Sequence, residues 1–335
     1  MKNKIYQLSL FGLVCMAFGL LLGWLIDIRH LGEDDDPTVF SETRESGFTL
    51  INPLLECDSA KASIRKKTLK PFETSVTNFV EQTRKELKIE SISVYFRELN
   101  DGLWFSVGDV ENYRPVSLLK MPLLIAAFKQ QERSPGFLQY KVRYDGRNDL
   151  NAMQAIKPAK TLSRGASYTV EELVSRMILY SDNNAFNELE GIIDPRIYHR
   201  VYSDLGIKMS TLDNPDQMIS AKQFATFLRI LYNASYLNRE LSEKALDLLT
   251  RGDFKAGIVA GVPDNIAVAH KFGEGGQDGV AELHDCGIVY FPRHPYILCV
   301  LSRGKSYENL NEAIQLISSS IYSNVEEQHK ADHLR

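Results

Sequence analysis

Three serines in the chain are each followed three residues later by a lysine: Ser63…Lys66, Ser117…Lys120 and Ser302…Lys305. At that spacing a hydroxyl and an amine share one face of a helix. A lysine that burial partly desolvates can lose its proton and act as a base. It can then activate the adjacent serine as a nucleophile towards an acyl carbon. At a helix start, peptide dipoles favour the negative charge that develops during such an attack. The pair by itself is expected about once by chance in a chain of this length. The surroundings must therefore choose among the copies.

Only Ser117…Lys120 stands before a run that can bury it. The stretch reads Tyr113-Arg114-Pro115-Val116-Ser117-Leu118-Leu119-Lys120-Met121-Pro122 and continues Leu123-Leu124-Ile125-Ala126-Ala127-Phe128. Pro115 keeps Arg114 extended. The apolar run is too continuous for a surface helix and suits one buried on most sides. Ser63…Lys66 lies in the charged stretch around Arg65-Lys66-Lys67, and Ser302…Lys305 falls where a strand gives way to a turn at Gly304. Neither has a helix to hold the pair on one face.

The bulk composition bounds the rest. The chain has 335 residues, 44% hydrophobic and 24% charged, with a net charge of −4. That is enough for one large globular domain or two small ones. No broad cationic surface is implied, which argues against nucleic acid as a partner. The four cysteines show no Cys-x-x-Cys spacing, so neither a disulfide scaffold nor a zinc site is indicated. No metal or other cofactor is expected. Cys286 and Cys299 fall in successive strand-like runs. A cross-strand bridge and a pair of buried free thiols both fit that placement.

Lys2 and Lys4 precede an apolar run over residues 5–26 that ends at Asp27. At 1.5 Å per residue such a run can cross a bilayer. No small-x-small cleavage site stands at its polar end, as a removed leader would have. The lysines before the run and Glu33-Asp34-Asp35-Asp36 after it put the N-terminus in the cytoplasm and the remainder outside. The expected organisation is a cytoplasmic start and membrane anchor over 1–29, an extracytoplasmic linker over 30–70, a catalytic domain over 71–323 and a charged tail over 324–335.

Within 71–323, Pro71 is expected to open a helix whose stripe is Phe72, Val76, Phe79, Val80 and Leu87. Ser91–Phe96 and Leu103–Val107 alternate as strands about Asn100-Asp101-Gly102, a hairpin turn signal. After the Ser117 helix come polar turns from Gln131 to Tyr168. Thr169-Val170-Glu171-Glu172 then forms a capping box for a helix that ends near Tyr180-Ser181-Asp182-Asn183-Asn184. Further helices begin at Ala185, cover Ile219–Leu231 with Ser220 as N-cap, and cover Ser242–Leu249 with Ser242 as N-cap. Strands follow at Ile266–Gly273, Cys286–Phe291 and Tyr296–Leu301, the last two joined through Pro292-Arg293-His294-Pro295. Leu310–Ile321 closes the domain as an amphipathic helix.

Ser117-x-x-Lys120, Ser181-Asp182-Asn183 and Lys271-Phe272-Gly273, in that order, resemble the three signatures of class A β-lactamases and their penicillin-binding relatives. The order of elements agrees over roughly Pro71 to Tyr322. The resemblance implies an α/β (α+β) fold: an antiparallel sheet flanked by helices plus an all-helical subdomain, here behind an N-terminal transmembrane helix. It implies Ser117 as the acylated nucleophile, Lys120 as its base and Ser181 as a proton relay. Asn183 would bind the substrate's side-chain amide, and Lys271 would supply positive potential for a substrate carboxylate. Backbone amides of Ser117 and of Glu274, which follows Gly273, would form the oxyanion hole. Asp182 would brace its turn.

The chain departs from the family pattern twice. The family places Thr or Ser where Phe272 stands, and that hydroxyl normally bonds the substrate carboxylate. Losing a charge-assisted hydrogen bond costs about 1.5–3 kcal/mol, and Phe272 adds bulk beside the substrate. His270 and Ser302 are candidate replacements. Class A enzymes also carry a Glu, on a long loop, that activates the deacylating water. No Glu lies between Gly206 and Ile219, where Asp213 and Asp216 are the carboxylates present. The turn Asp-Asn-Pro accounts for the first of them.

The expected protein is a membrane-anchored, extracytoplasmic serine hydrolase or acyl transferase for peptides ending in D-alanine or related cell-wall amides. β-Lactams would be pseudosubstrates. A working β-lactamase and a catalytically inactive cell-wall binding protein on the same fold are the competing readings.

Overall fold

The computed structural model describes residues 38–45, 47–61, 65–100, 102–108, 112–209 and 218–330. The expected membrane anchor at 5–26 lies outside the described residues, as do Ser63, Asp213 and Asp216. Among the described residues no helix is long and apolar enough to cross a membrane. The chain divides into two compact units, Met1–Ser41 with Asp58–Lys67, and Glu42–Cys57 with Thr68–Arg335. The first unit's described residues belong to strands β1 (Thr38–Arg44) and β2 (Leu54–Lys61), which pair with each other, and to the start of helix α1.

Helix α1 spans Arg65–Glu86 and so begins six residues before Pro71, within what the sequence suggested was linker. Phe72, Val76 and Val80 are buried as its 3.6-residue stripe predicts. In the second unit β3 (Ser91–Glu98) and β4 (Trp104–Val107) form the expected hairpin. Helix α2 (Lys120–Arg133) follows a 3-10 turn at Val116–Leu119, and its residues from Lys120 to Phe128 are all buried. β5 (Lys141–Arg143) and β6 (Ser167–Thr169) make a small two-stranded sheet within the polar middle.

The helical subdomain contains α3 (Val170–Leu179), α4 (Asn183–Ile192), α5 (Pro195–Ser203), α6 (Ala221–Tyr232) and α7 (Arg239–Thr250). Thr169 and Ser220 close capping boxes at the starts of α3 and α6, as expected. α5 was not foreseen, although Asp194 at its N-cap and Pro195 at its first position are a helix-start signal. α7 starts earlier than expected: Asn238 is its cap, and Ser242 is buried inside it, donating to the Leu237 carbonyl at 3.3 Å.

Strands β7 (Val268–Gln277), β8 (Val280–Val289) and β9 (Tyr296–Gly304) complete an antiparallel sheet in the order β4-β3-β9-β8-β7. β7 and β8 extend well beyond the apolar runs that predicted them. Asp278 and Gly279, at φ 55° and 78°, join them in a tight turn that needs positive φ at both positions. The backbone ladder continues through Glu274-Gly275-Gly276-Gln277, whose side chains carry no strand signal. Cys286 and Cys299 are direct partners across β8 and β9 and are joined as a disulfide. Helix α8 (Tyr307–His329) runs through the first half of the segment expected to be a charged tail, because Val325 extends the buried series Ile314, Ile317 and Ile321.

One face of the sheet buries Val94, Phe96, Leu298 and Val300 against α1 and α8. The other carries Tyr95, Ile288, Ile297 and Leu301 into the core shared with α2 and the helical subdomain. β7 lies at the sheet edge, where the Val116–Leu119 turn closes on it. Glycines allow this approach: a Cβ on Gly275 would lie 2.5 Å from Val116 Cγ1, and one on Gly273 would lie 2.9 Å from Val116 Cγ2. Gly275→Ala is therefore expected to destabilise the fold by about 1–3 kcal/mol, the range for overpacking. Chemical denaturation measures this, and adding Val116→Ala should recover most of the loss. An additive double mutant would show that the two side chains do not collide.

Candidate active site

The segment leading to Ser117 is held at both ends. Tyr113 exchanges backbone hydrogen bonds with Ile219 at 3.0 and 2.8 Å. Arg114 Nε donates to Glu282 Oε2 at 2.9 Å, and Arg303 Nε donates to Glu282 Oε1 at 3.0 Å, so the buried carboxylate is shared by two guanidinium groups. Burial pushes the His284 imidazole down to about 4. As a neutral ring it donates through Nε2 to the Arg114 carbonyl at 3.0 Å and accepts from the Ser302 amide at Nδ1. Val116 then takes φ 42°, an uncommon conformation for a β-branched residue. It turns the chain so that Ser117 enters the 3-10 turn ahead of α2.

Lys120 Nζ lies 2.8 Å from Ser117 Oγ. It also meets the Ser181 carbonyl at 3.0 Å, Ser181 Oγ at 3.1 Å and Asn183 Oδ1 at 2.5 Å. Lys120 is 2% exposed, and burial lowers its amine to about 7 against the opposing pull of Asp182 and Glu274. A neutral amine can accept the Ser117 O–H at its lone pair while donating to Asn183 and Ser181. Lys271 Nζ donates to Ser181 Oγ at 3.0 Å and to the Phe272 carbonyl at 2.8 Å. It too is 2% exposed, and burial, followed by the charge of Lys120, pushes its amine well below the ordinary lysine value. The Ser181 hydroxyl thus bridges two amines, the arrangement a proton relay needs.

The Ser181-Asp182-Asn183 turn is built for this position. Ser181 sits at φ 56°. Asp182 caps α4 through the amides of Asn184 and Ala185 and accepts from Asn151 Nδ2 at 2.8 Å. Its side chain therefore braces the turn. Asn151 Oδ1 accepts the Asn183 amide at 2.7 Å, and Gln154 Nε2 donates to the Ser181 carbonyl at 3.0 Å. Asn151 and Gln154 escaped the sequence reading. They lie in a turn-rich stretch without periodicity, and only their proximity in space gives them a role.

Phe272 does not fill the cavity with the bulk expected of it. Its ring stacks on Phe254 at 4.2 Å, within the core on the α8 side of the sheet. Neither proposed replacement reaches the vacated role. His270 Nδ1 is 2.8 Å from Asp285 Oδ1 in a buried pair, and the Ser302 hydroxyl donates to the Leu283 carbonyl at 2.6 Å. This also removes Ser302…Lys305 as a catalytic pair. Gly273 keeps its backbone against the turn that carries Ser117. Glu274 departs from its expected backbone-only part. Burial raises its carboxyl against the opposing pull of the Ala155 and Ile156 backbone amides, and it borders a cavity of about 240 Å³ with Ser117, Lys120 and Asn183. Among the described residues no group of His, Cys, Asp and Glu is placed to hold a metal.

This geometry suits serine-based acyl transfer, and similarity to known proteins agrees. Residues 71–325 match the model of the beta-lactamase enzyme family, and the chain belongs to that family. No curated protein sequence matches it. Among solved structures, PBP-A is 23% identical with a TM-score of 0.63, over 76% of this chain and 97% of that one. A mutant of PBP-A, solved as its acyl-enzyme complex with penicillin G, is 21% identical with a TM-score of 0.64, over 76% and 97%. A class A β-lactamase from Mycobacterium abscessus is 20% identical with a TM-score of 0.62, over 75% and 99%. At these identities the likeness establishes the fold: an antiparallel sheet with flanking helices and a helical subdomain.

Because the base must be unprotonated, acylation of Ser117 should rise with pH, half-maximal near the Lys120 value of about 7, and fall away below it. Single-turnover acylation rates between pH 5 and 9 measure this. A flat profile would mean that Lys120 is not the base.

Proposed function

We propose that the protein is an active-site-serine hydrolase or acyl transferase that forms an acyl-enzyme on Ser117. Its substrates are peptides of the D-alanine type or related cell-wall amides, and β-lactams act as pseudosubstrates. The observation that carries this reading is the 2.8 Å contact between Ser117 Oγ and a buried Lys120 amine lowered to about 7. Neutral Lys120 takes the Ser117 proton as Oγ bonds to the acyl carbon. The backbone amides of Ser117 and Glu274 stabilise the oxyanion, each such donor contributing ~10²–10³ in rate. The C–N bond then breaks, and the proton passes through Ser181, which Lys271 polarises, to the departing nitrogen. Asn183 binds the substrate amide. The penicillin acyl-enzyme of the similar PBP-A mutant supports β-lactams as acyl donors.

Among the described residues lining the Ser117 cavity, Glu274 is the one carboxylate. A deacylating base of the class A kind is absent from the sequence between Gly206 and Ile219. The acyl-enzyme should therefore persist, and be resolved slowly by water or by transfer to an amine. Intact-protein mass spectrometry after prolonged exposure to penicillin and to a neutral thioester donor tests this. A stable adduct that Ser117→Ala abolishes is expected, and Lys120→Ala should slow its formation by about 10²–10⁴-fold. Rapid nitrocefin turnover would instead make the protein a working β-lactamase. No adduct with any donor would leave a binding protein on the same fold.

Residues 5–26 are proposed to anchor the protein in the membrane with the catalytic domain outside, on the length and flanking charge of that run. Membrane fractionation of the full chain, and protease access to the domain in intact cells, should show both. A full-length protein recovered without membranes would refute the anchor.

A further inference from the structure

Cations from two elements converge on one hollow apart from Ser117. On β3, Tyr95 and Arg97 are two residues apart and so share a face, and Trp104 of β4 is the direct partner of Arg97. On α6, Lys222, Thr226 and Arg229 recur at helical spacing. These residues line a pocket of about 140 Å³, which shares no lining residue with the Ser117 cavity. The Trp104 ring stacks on Tyr95 at 5.8 Å between centroids, and Lys222 Nζ lies 3.8 Å from the Trp104 centroid. That contact holds the ammonium at the pocket. The Arg97 guanidinium lies against the hairpin turn, where a Cβ on Gly102 would come within 2.9 Å of its Nη2.

The charge at this pocket is one-sided. Among the described residues lining it there is no carboxylate, so every charged group there is positive. Neither Arg97 nor Lys222 forms an ion pair among the described residues. Lys222 moreover stands in the first turn of α6, which carries no acidic residue. A cation there opposes the helix dipole, which favours negative charge at that end. The chain as a whole has a net charge of −4, so the pocket is not one sample of a generally basic surface. Like charges gathered in one place repel, and local rules are broken in this way chiefly at functional sites. An anion seated between the cations turns the repulsion into attraction.

We propose that this pocket binds a phosphate group, as the free ion or as a monoester, at a site separate from Ser117 and independent of the acyl-serine reading. A guanidinium matches phosphate oxygens in a planar fork, and an ammonium beside it adds a compact point charge. A phosphate monoester carries about −1.5 to −2 charges at neutral pH, which answers several cations better than a singly charged carboxylate does. At about 140 Å³ the pocket is smaller than the ~300–1,000 Å³ of sites that enclose a whole small molecule, so it takes the phosphate and leaves any carrier outside. Trp104, 41% exposed, leaves an apolar edge for such a carrier to pack against.

Calorimetric titration of the full chain with inorganic phosphate, glycerol 3-phosphate and acetate, at matched ionic strength, tests this. Saturable binding of a phosphate at least ~10-fold tighter than of acetate is expected, as charge-assisted bonds to a dianion imply. Tighter binding of glycerol 3-phosphate would assign the site to a carried phosphate, and equal or tighter binding of inorganic phosphate to the free ion. Arg97→Gln and Lys222→Gln should each weaken binding at least ~10-fold, and Ser117→Ala should leave it unchanged. The phosphate-to-acetate comparison on the parent needs no variant, and thermal unfolding without ligand reports that each variant is folded. Absence of saturable binding by either phosphate, acetate that binds as tightly, or an affinity that both Arg97→Gln and Lys222→Gln leave unmoved would overturn the proposal. None of these results bears on acylation of Ser117.

Discussion

An amine that serves as a base near neutral pH must be withdrawn from water, and an amine withdrawn from water must have its hydrogens accepted by the protein. Lys120 meets both conditions at once, and the site is arranged around that fact. Its burial at the start of α2 lowers the amine to about 7. The same burial would leave costly unpaired N–H groups were it not for the Ser181 carbonyl, the Ser181 hydroxyl and Asn183 Oδ1. Those acceptors come from the turn between α3 and α4. That turn holds Ser181 in a left-handed conformation and is fastened by Asp182, Asn151 and Gln154. Removing the lysine from solvent thus requires a specific loop, and the loop requires a polar scaffold beneath it.

The sheet supplies the opposite wall. β7 can receive the serine turn because Gly273 and Gly275 present no side chain to Val116 and Leu118. The turn is aimed by the strap at Tyr113 and Arg114, which a doubly bridged Glu282 and a neutral His284 fix to the sheet. On the same edge strand, Lys271 faces Ser181 and Glu274 faces the cleft. One short run of β7 therefore contributes a partner of the proposed proton relay, a proposed oxyanion donor and a buried carboxyl on the cavity lining.

Where periodicity and caps were strong, the elements were legible in the sequence. The α1 stripe, the Thr169 and Ser220 caps, the β3–β4 hairpin and the buried α2 all follow from local spacing. Where main-chain pairing carried a segment without apolar side chains, they were not. The second half of β7 is Gly- and polar-rich, and the first half of β8 interrupts its apolar residues with Glu282 and His284, so neither carries an apolar run. Pro71 reads as a helix start because proline favours the first turn, yet α1 begins six residues before it. The charged stretch from Asn324 reads as a tail, yet Val325 keeps α8 docked.

The sequence by itself determined which serine and lysine are paired, because three residues along a buried helix fix their separation whatever surrounds them. It also determined the order of the three motifs and hence the family. Only the tertiary structure decided what lies between those motifs. It turned Phe272 into the core, tied His270 to Asp285, and brought Asn151 and Gln154 under Ser181. It also set Glu274 on the lining of the Ser117 cavity. Along a strand, successive side chains face opposite sides, and what each side meets is set by elements distant in sequence. The proposed nucleophile and base are therefore a local property of this chain, and what surrounds them is a property of its packing.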